Sequence, residues 1–474
     1  MFRLPDALKQ TLLYGGGIAL MKGVSLLMLP FIAHQLSTDA FGRLEVISTL
    51  AVIGSVLVGM GLDHTLFRFA GTSREPEQRK RIAAEIFSLA LFIGVAAWLI
   101  GWQVSASIAS WVPGNPTPYE LRLVISVLAL EGCIAIPLGW LRLRNRAIPF
   151  FFATTGRALT QAILVVVLLN FGRGVEGVLE AGLMAAVAQA LALSYLHMRD
   201  TGCRFSRDMG LQALIYSLPL VGSGLVAFAL NGLDRWILAE HASLSDVAQF
   251  GVAAKFSLAV VLLLQPFGMW WTPRRFEVLN TPDGRQKVAN FVALGITLAL
   301  IIALLVGLGA PLLIGYLMPA AYAMSSQYVV ALVLVMLFKE MAELVNLGCF
   351  IGKTTGMQFV INSTGASVGI AGMFWLTPGY GVWGVIFALL LAQAIRFILF
   401  FIVSQQRLPL PYPTRSLLLL TSVSIGWLVL GSQTTTGVQQ VLTMMTGTIS
   451  LLALALFLKL IPVPIIMTSK MADR

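Results

Sequence analysis

Apolar residues run through this chain in blocks of about 20, separated by short stretches where charged residues, Gly and Pro collect. About 20 apolar residues is the length at which an α-helix crosses the hydrocarbon of a bilayer. The runs at 162–170 and 297–313 show no polar–apolar alternation, which the roughly 10-residue strands of a membrane barrel would require. Helices are therefore predicted over 12–33, 42–62, 83–103, 119–139, 151–170, 175–196, 212–232, 248–271, 288–310, 325–347, 357–377, 381–403, 416–432 and 438–460. That makes about fourteen spans in an all-α polytopic membrane protein. The eleventh and twelfth lie close together and the thirteenth is short, which keeps twelve and thirteen as alternatives.

Composition narrows the class. With 58% hydrophobic and 11% charged residues over 474 positions, there is too little charge to cover a soluble surface. Connections of at most about 20 residues leave no room for a soluble catalytic domain, and no GxxxxGK[ST] phosphate loop occurs. An enzyme is not expected. Cys133, Cys203 and Cys349 are isolated and the four histidines are scattered, so neither a disulfide framework, a metal site nor a bound cofactor is expected. Arg3 and Lys9 precede a full-length span with no small-residue cleavage site, so the first span should remain.

The net charge of +11 follows the loops. One set carries Arg68, Arg74, Arg79, Lys80 and Arg81; Arg142, Arg144 and Arg146; Arg199, Arg204 and Arg207; Arg274, Arg275, Arg285 and Lys287; Lys353; and Arg407 and Arg415. The opposite set holds little more than Arg43, Arg173 and Arg235. This alternation places both termini on the cytoplasmic side and supports an even helix count. Any one of these arginines does no more than orient the chain, and nucleic acid is not an expected partner. The basic face would attract anionic membrane lipids.

Two segments repeat. Residues 34–69 and 241–277 each run from a His through a Ser/Asp-bearing loop to Phe-Gly, then an apolar span, a Gly and a basic exit. Phe41-Gly42 matches Phe250-Gly251, and at the same offset of 209 Gly59 meets Gly268 and Gly15 meets Gly224. Six helices separate the copies, so both have one orientation, the pattern of a parallel-repeat transporter. The expected division is an N-lobe over 1–211, a C-lobe over 212–406, and two further helices with a tail over 407–474. Gly15, Gly16 and Gly17 in the first helix, and Pro219, Gly222 and Gly224 in the seventh, are expected to interrupt their helices.

Ionisable groups at membrane depth are costly and usually face an interior cavity. The candidates are Lys22, Glu131, Arg157, Lys255, Lys339, Glu340, Glu343 and Arg396. Lys339 and Glu343, four residues apart, can neutralise each other. Lys255, Arg157 and Arg396 lie near enough to helix ends to snorkel. Lys22 is the deepest. Taken together, Lys22, Arg157, Lys255 and Arg396 would line a cationic cavity that selects an anion, since Arg offers a fork and Lys a point charge to phosphate oxygens. Glu131, in mid-span, and Asp63, at the end of the second helix, are candidate carboxylates for a coupling ion, H+ or Na+; a buried neutral acid is the plainer reading of Glu131.

The stretch from Tyr14 to Leu50, and that from Asn231 to Phe256 with Asp234-Arg235 followed by Phe-Gly-x-x-x-Lys, resemble polysaccharide-type flippases of the multidrug/oligosaccharidyl-lipid/polysaccharide exporter superfamily. The resemblance implies a bacterial inner-membrane flippase. Its cargo would be an undecaprenyl-diphosphate-linked oligosaccharide, an anionic lipid-linked glycan, moved from the cytoplasmic to the periplasmic leaflet. A polysaccharide polymerase or export complex would be a partner. Fourteen helices is also the count of the related lipid II flippases, while many oligosaccharide flippases have twelve. The rivals are a multidrug/cation antiporter of the same superfamily, expected to use more interior acids, and a membrane-embedded polymerase or ligase, expected to carry a long outer loop. A non-transporting scaffold is a third.

Overall fold

The computed structural model describes residues 6–73, 75–351, 356–434 and 437–461, with side chains from Tyr14 onward apart from 18, 230 and 231. Arg3, Arg74, Lys353 and the tail from 462 lie outside those residues, as does the side chain of Lys9. All regular structure among the described residues is helical.

The chain forms two compact units. The first takes in Met1–Gly251 and Met373–Val382. It contains α1 (Asp6–Gln35), α2 (Thr38–Gly59), α3 (Leu62–Thr72), α4 (Pro76–Trp111), α5 (Pro118–Ala129), α6 (Glu131–Leu143), α7 (Ala147–Asn170), α8 (Gly174–Thr201), α9 (Arg207–Asn231), α10 (Leu233–His241) and the start of α11 (Leu244–Ser257). Within it α1 packs on α7, α7 on α8, and α4 along α5 and α6. The helix α9 lies against α2, α3 and α4, so this unit extends past the lobe boundary expected at 212. Thr65 and Ser217 join α3 to α9 by a 2.9 Å hydroxyl–hydroxyl hydrogen bond.

The second unit takes in Val252–Gly372 and Trp383–Arg474. Its helices are the end of α11, α12 (Ala259–Leu279), α13 (Gly284–Leu317), α14 (Ser325–Val345), most of α15 (Gly356–Tyr380), α16 (Val382–Arg407), α17 (Thr414–Ser432) and α18 (Gly437–Phe457). The hub is α13, with mean hydropathy 2.9, flanked by α12, α14, α17 and α18. Small residues set the approach distances. A Cβ added at Gly431 would lie 2.3 Å from Leu308, and one at Gly307 2.5 Å from Leu428. Gln440 donates to the Leu308 carbonyl at 3.1 Å.

Thirteen helical stretches among the described residues are long and apolar enough to span a bilayer. Three of them join two helices across a break: α2 with α3, α5 with α6, and α11 with α12. The fourteenth, α14, is of spanning length but carries Lys339, Glu340 and Glu343. The expected all-α fold of about fourteen spans therefore holds. Large apolar side chains such as Leu27, Phe92 and Leu191 are two-thirds exposed or nearly so, which suits hydrocarbon as the surrounding solvent. Arg43, Arg173 and Arg235, the cations of the poorly charged loop set, are all ion-paired, to Glu120, to Glu176 and Glu180, and to Asp234.

Candidate functional site

The expected interruptions are corrected by the structure. The helix α1 runs unbroken through Gly15, Gly16 and Gly17, and α9 through Pro219, Gly222 and Gly224. Gly17 and Gly224 serve close packing instead. A Cβ at Gly17 would come within 2.9 Å of the Thr154 hydroxyl on α7, and one at Gly224 within 2.6 Å of Val56 on α2. Pro219 forfeits one backbone hydrogen bond, a loss the surrounding turns absorb.

The breaks fall elsewhere. Met60 and Gly61 both adopt left-handed backbone, φ 48° and 64°, and separate α2 from α3. Leu130 separates α5 from α6, and Gly232 separates α9 from α10. Each restart places an acid in its first turn: Asp63, Glu131 and Asp234. The free N–H groups and positive dipole end of a helix start stabilise a carboxylate there. Asp234 is closed off by Arg235, whose Nη1 donates to it at 2.9 Å, with buried Glu45 at 3.8 Å from the same guanidinium. Asp63 and Glu131 have no such cation within 4 Å among the described residues. Instead Glu131 lies within electrostatic reach of both Arg157 and Asp63. The end of α2 faces it, since a Cβ at Gly59 would sit 3.5 Å from Glu131 Cγ.

Beside this group a cavity of about 430 Å³ opens between α1 and α7, lined by Lys22, Ser25, Met28, Arg157, Gln161 and, from α8, Val178. Lys22 has no acidic partner among the described residues. Arg157 Nη1 donates to Gln189 Oε1 at 3.1 Å, while Gln189 Nε2 donates to the Ala153 carbonyl at 3.0 Å. That second bond fixes which end of the amide meets the arginine. It leaves most of the five guanidinium donors uncommitted. Lys22 and Arg157 each lie about 13 residues from the same end of their helices, about 20 Å at 1.5 Å per residue, so they share one depth. A cation with no carboxylate within 4 Å costs at least about 2.5–3.5 kcal/mol in hydrocarbon.

The other two expected cations belong to the second unit. Arg396 is buried and is not an unpaired charge: Nη2 lies 3.4 Å from Glu343 Oε1, Nε donates to Asn362 at 3.0 Å, and Nη1 donates to Gln393. Its aliphatic stem packs where Gly365 has no side chain, at 2.4 Å from a hypothetical Cβ. Glu343 on α14 thus reaches across to α16. It also accepts from Asn346 at 2.9 Å, and Asn346 in turn accepts from Arg275 at 3.1 Å. Lys255 is half-buried near the end of α11 and has an interaction of its own. Gln189, Asn346 and Asn362 escaped the sequence reading, where the available signal was amide side chains in otherwise apolar spans, and Arg275 was read there only as a loop charge.

Comparison with known proteins places this geometry. An uncharacterized membrane protein of Haemophilus influenzae is 23% identical over 288 residues, covering 59% of this chain and 68% of its own. Among solved structures, a lipid II flippase MurJ in an inward closed conformation superposes with TM-score 0.74 at 13% identity, over 94% of this chain and 99% of that one. An inward-facing multidrug resistance MATE transporter of the MOP superfamily gives TM-score 0.55 at 16% identity, over 84% and 94%. At such identities the likeness is one of fold alone. The family model for polysaccharide biosynthesis proteins matches residues 7–279, from α1 to the end of α12 and more than half of the 474 residues, and the chain belongs to that family.

Proposed function

We propose that this protein is a flippase for an undecaprenyl-diphosphate-linked oligosaccharide, carrying it from the cytoplasmic to the periplasmic leaflet of a bacterial inner membrane. The observation that carries the reading is the pair Lys22 and Arg157 on one cavity wall, a point charge and a largely uncommitted fork at the same depth. Diphosphate oxygens match both groups. Glu131, within reach of Arg157, and Asp63, within reach of Glu131, both held at helix restarts, are the proposed site of a coupling ion, H+ or Na+. Occupation by the cation and by the diphosphate would then compete for the same electrostatic field, which links the two. Both termini are proposed to be cytoplasmic, and a polysaccharide polymerase to receive the product.

The test is export of the polymer in cells that depend on this protein, with its membrane level measured alongside. Lys22→Ala and Arg157→Ala should abolish most export at normal protein levels, and Arg157→Lys should restore only part of it, because one point charge does not replace the fork. Full export by both alanine variants would remove the site. A second reading, lipid II as cargo, is favoured by the extent of the superposition on the lipid II flippase. Reconstituted vesicles offered each lipid separately distinguish the two.

A further inference from the structure

A second cationic cavity lies in the other unit, at the end of the bundle where α13 begins and α18 ends. It measures about 320 Å³ and is lined by Lys287, Asn290, Phe291, Leu294, Lys459 and Leu460, with Pro413 at its edge. Lys287 sits in the first turn of α13 and Lys459 just past the last turn of α18. Both therefore stand at the depth of lipid headgroups, with Phe291 and Leu294 one turn and more toward the hydrocarbon. Neither lysine has an acidic partner among the described residues; Lys287 donates only a long 3.5 Å hydrogen bond, to Thr281.

The backbone at Lys459 carries information of its own. Its φ is +55°, a left-handed value that favours glycine. The chain closes α18 there with a hydrogen bond from Leu460 N–H to the Ala455 carbonyl at 2.9 Å, the pattern in which a C-terminal glycine is usual. A lysine at this position costs backbone stability that a glycine would not, and its side chain lines the cavity.

We propose that this cavity binds an anionic glycerophospholipid of the surrounding leaflet, its phosphate between Lys287 and Lys459 and its acyl chains along Phe291, Leu294 and Leu460. Basic pockets between transmembrane helices at the leaflet boundary take such headgroups by charge complementarity, and the volume suits a phosphate and glycerol unit, not an oligosaccharide. The site is separate from the Lys22–Arg157 cavity and does not depend on the cargo assigned to it.

Native mass spectrometry of the full-length protein, exchanged from detergent into equal dioleoylphosphatidylglycerol and dioleoylphosphatidylethanolamine, tests the assignment. The parent should retain the anionic lipid preferentially. Lys287→Gln and Lys459→Gly should each cut that preference about fivefold, and the double variant about 25-fold, the worth of one and two surface lysines. Lys459→Gly also relieves the backbone, so its melting temperature should equal or exceed the parent's, which separates lost lipid from lost fold. No preference in the parent, an unchanged preference in the double variant, or displacement of the lipid by millimolar inorganic phosphate would each overturn the assignment.

Discussion

Replacing Glu343 by Gln removes one charge from the second unit while keeping the shape of the side chain. Its partner Arg396 is buried and 3.4 Å away. At an effective dielectric of about 20, a full charge pair at that distance interacts by about 5 kcal/mol. The Glu343 side chain is 49% exposed, and solvent screening brings the usable part to about 2 kcal/mol. Arg396 keeps Asn362 and Gln393, so the guanidinium is not stripped of all acceptors. The expected loss is a fall of about 4–8 °C in the unfolding midpoint. Unfolding can be followed through the thiol of Cys349, which is fully buried three residues from Asn346 in the same unit, after replacing exposed Cys203. Arg396→Gln should lower the midpoint similarly, since it leaves Glu343 without its cation. The double variant should fall no further than one of the singles, because the pair is already lost. Additive shifts in the double variant would mean that the two residues do not interact, and the internally neutralised network would be wrong.

Three further outcomes are expected. Gly42→Ala should sharply reduce the amount of folded protein, since its Cβ would lie 1.9 Å from the Leu244 backbone oxygen, whereas Gly222→Ala, which meets nothing within 4 Å, should leave the level unchanged; thermal unfolding in detergent reads both. Glu131→Gln should leave the protein in the membrane at its normal level but remove the response of export to collapse of the ion gradient; an undiminished response would take Glu131 out of the coupling role. A periplasmic-only reporter fused after residue 461 should stay silent, and activity there would reverse the loop assignment.

The spans were legible because a bilayer imposes a length and a polarity on every helix that crosses it. The breaks were not. Leu130 carries no local signal, and Met60-Gly61 lies among many glycines, so only the packed structure distinguishes a left-handed glycine from one that lets helices approach. Gly15–Gly17 and Gly222–Gly224 looked like hinges by composition and proved to lie in continuous helix. The cations at membrane depth were legible as a set, but not their partners. Arg396 meets Glu343 across 53 positions and Arg43 meets Glu120 across 77, distances over which the i,i+4 rule says nothing. Lys22 and Arg157 were chosen from depth alone, and their shared cavity follows from α1 packing on α7. The repeat motif pointed to another close approach: matched Gly42 and Gly251 lie where a Cβ would collide with Leu244 and Glu45 respectively, so each glycine is a contact of one segment with the other.

The charges of α14 bear on how the protein is made. A segment of 21 residues with Lys339, Glu340 and Glu343 in its last two turns is costly to place in hydrocarbon alone, with about 2.5–3.5 kcal/mol per charge at a helix centre as the upper bound. The helix synthesised just before it, α13, is the most apolar span among the described residues and packs along it. The two therefore enter as a hairpin, with α13 holding α14 in place. Arg396, which meets Glu343, is translated some fifty residues later, when α16 emerges. Until then the nascent chain lacks the α16 side of this network, and any delay in producing α16 lengthens the interval in which quality control can recognise and remove it.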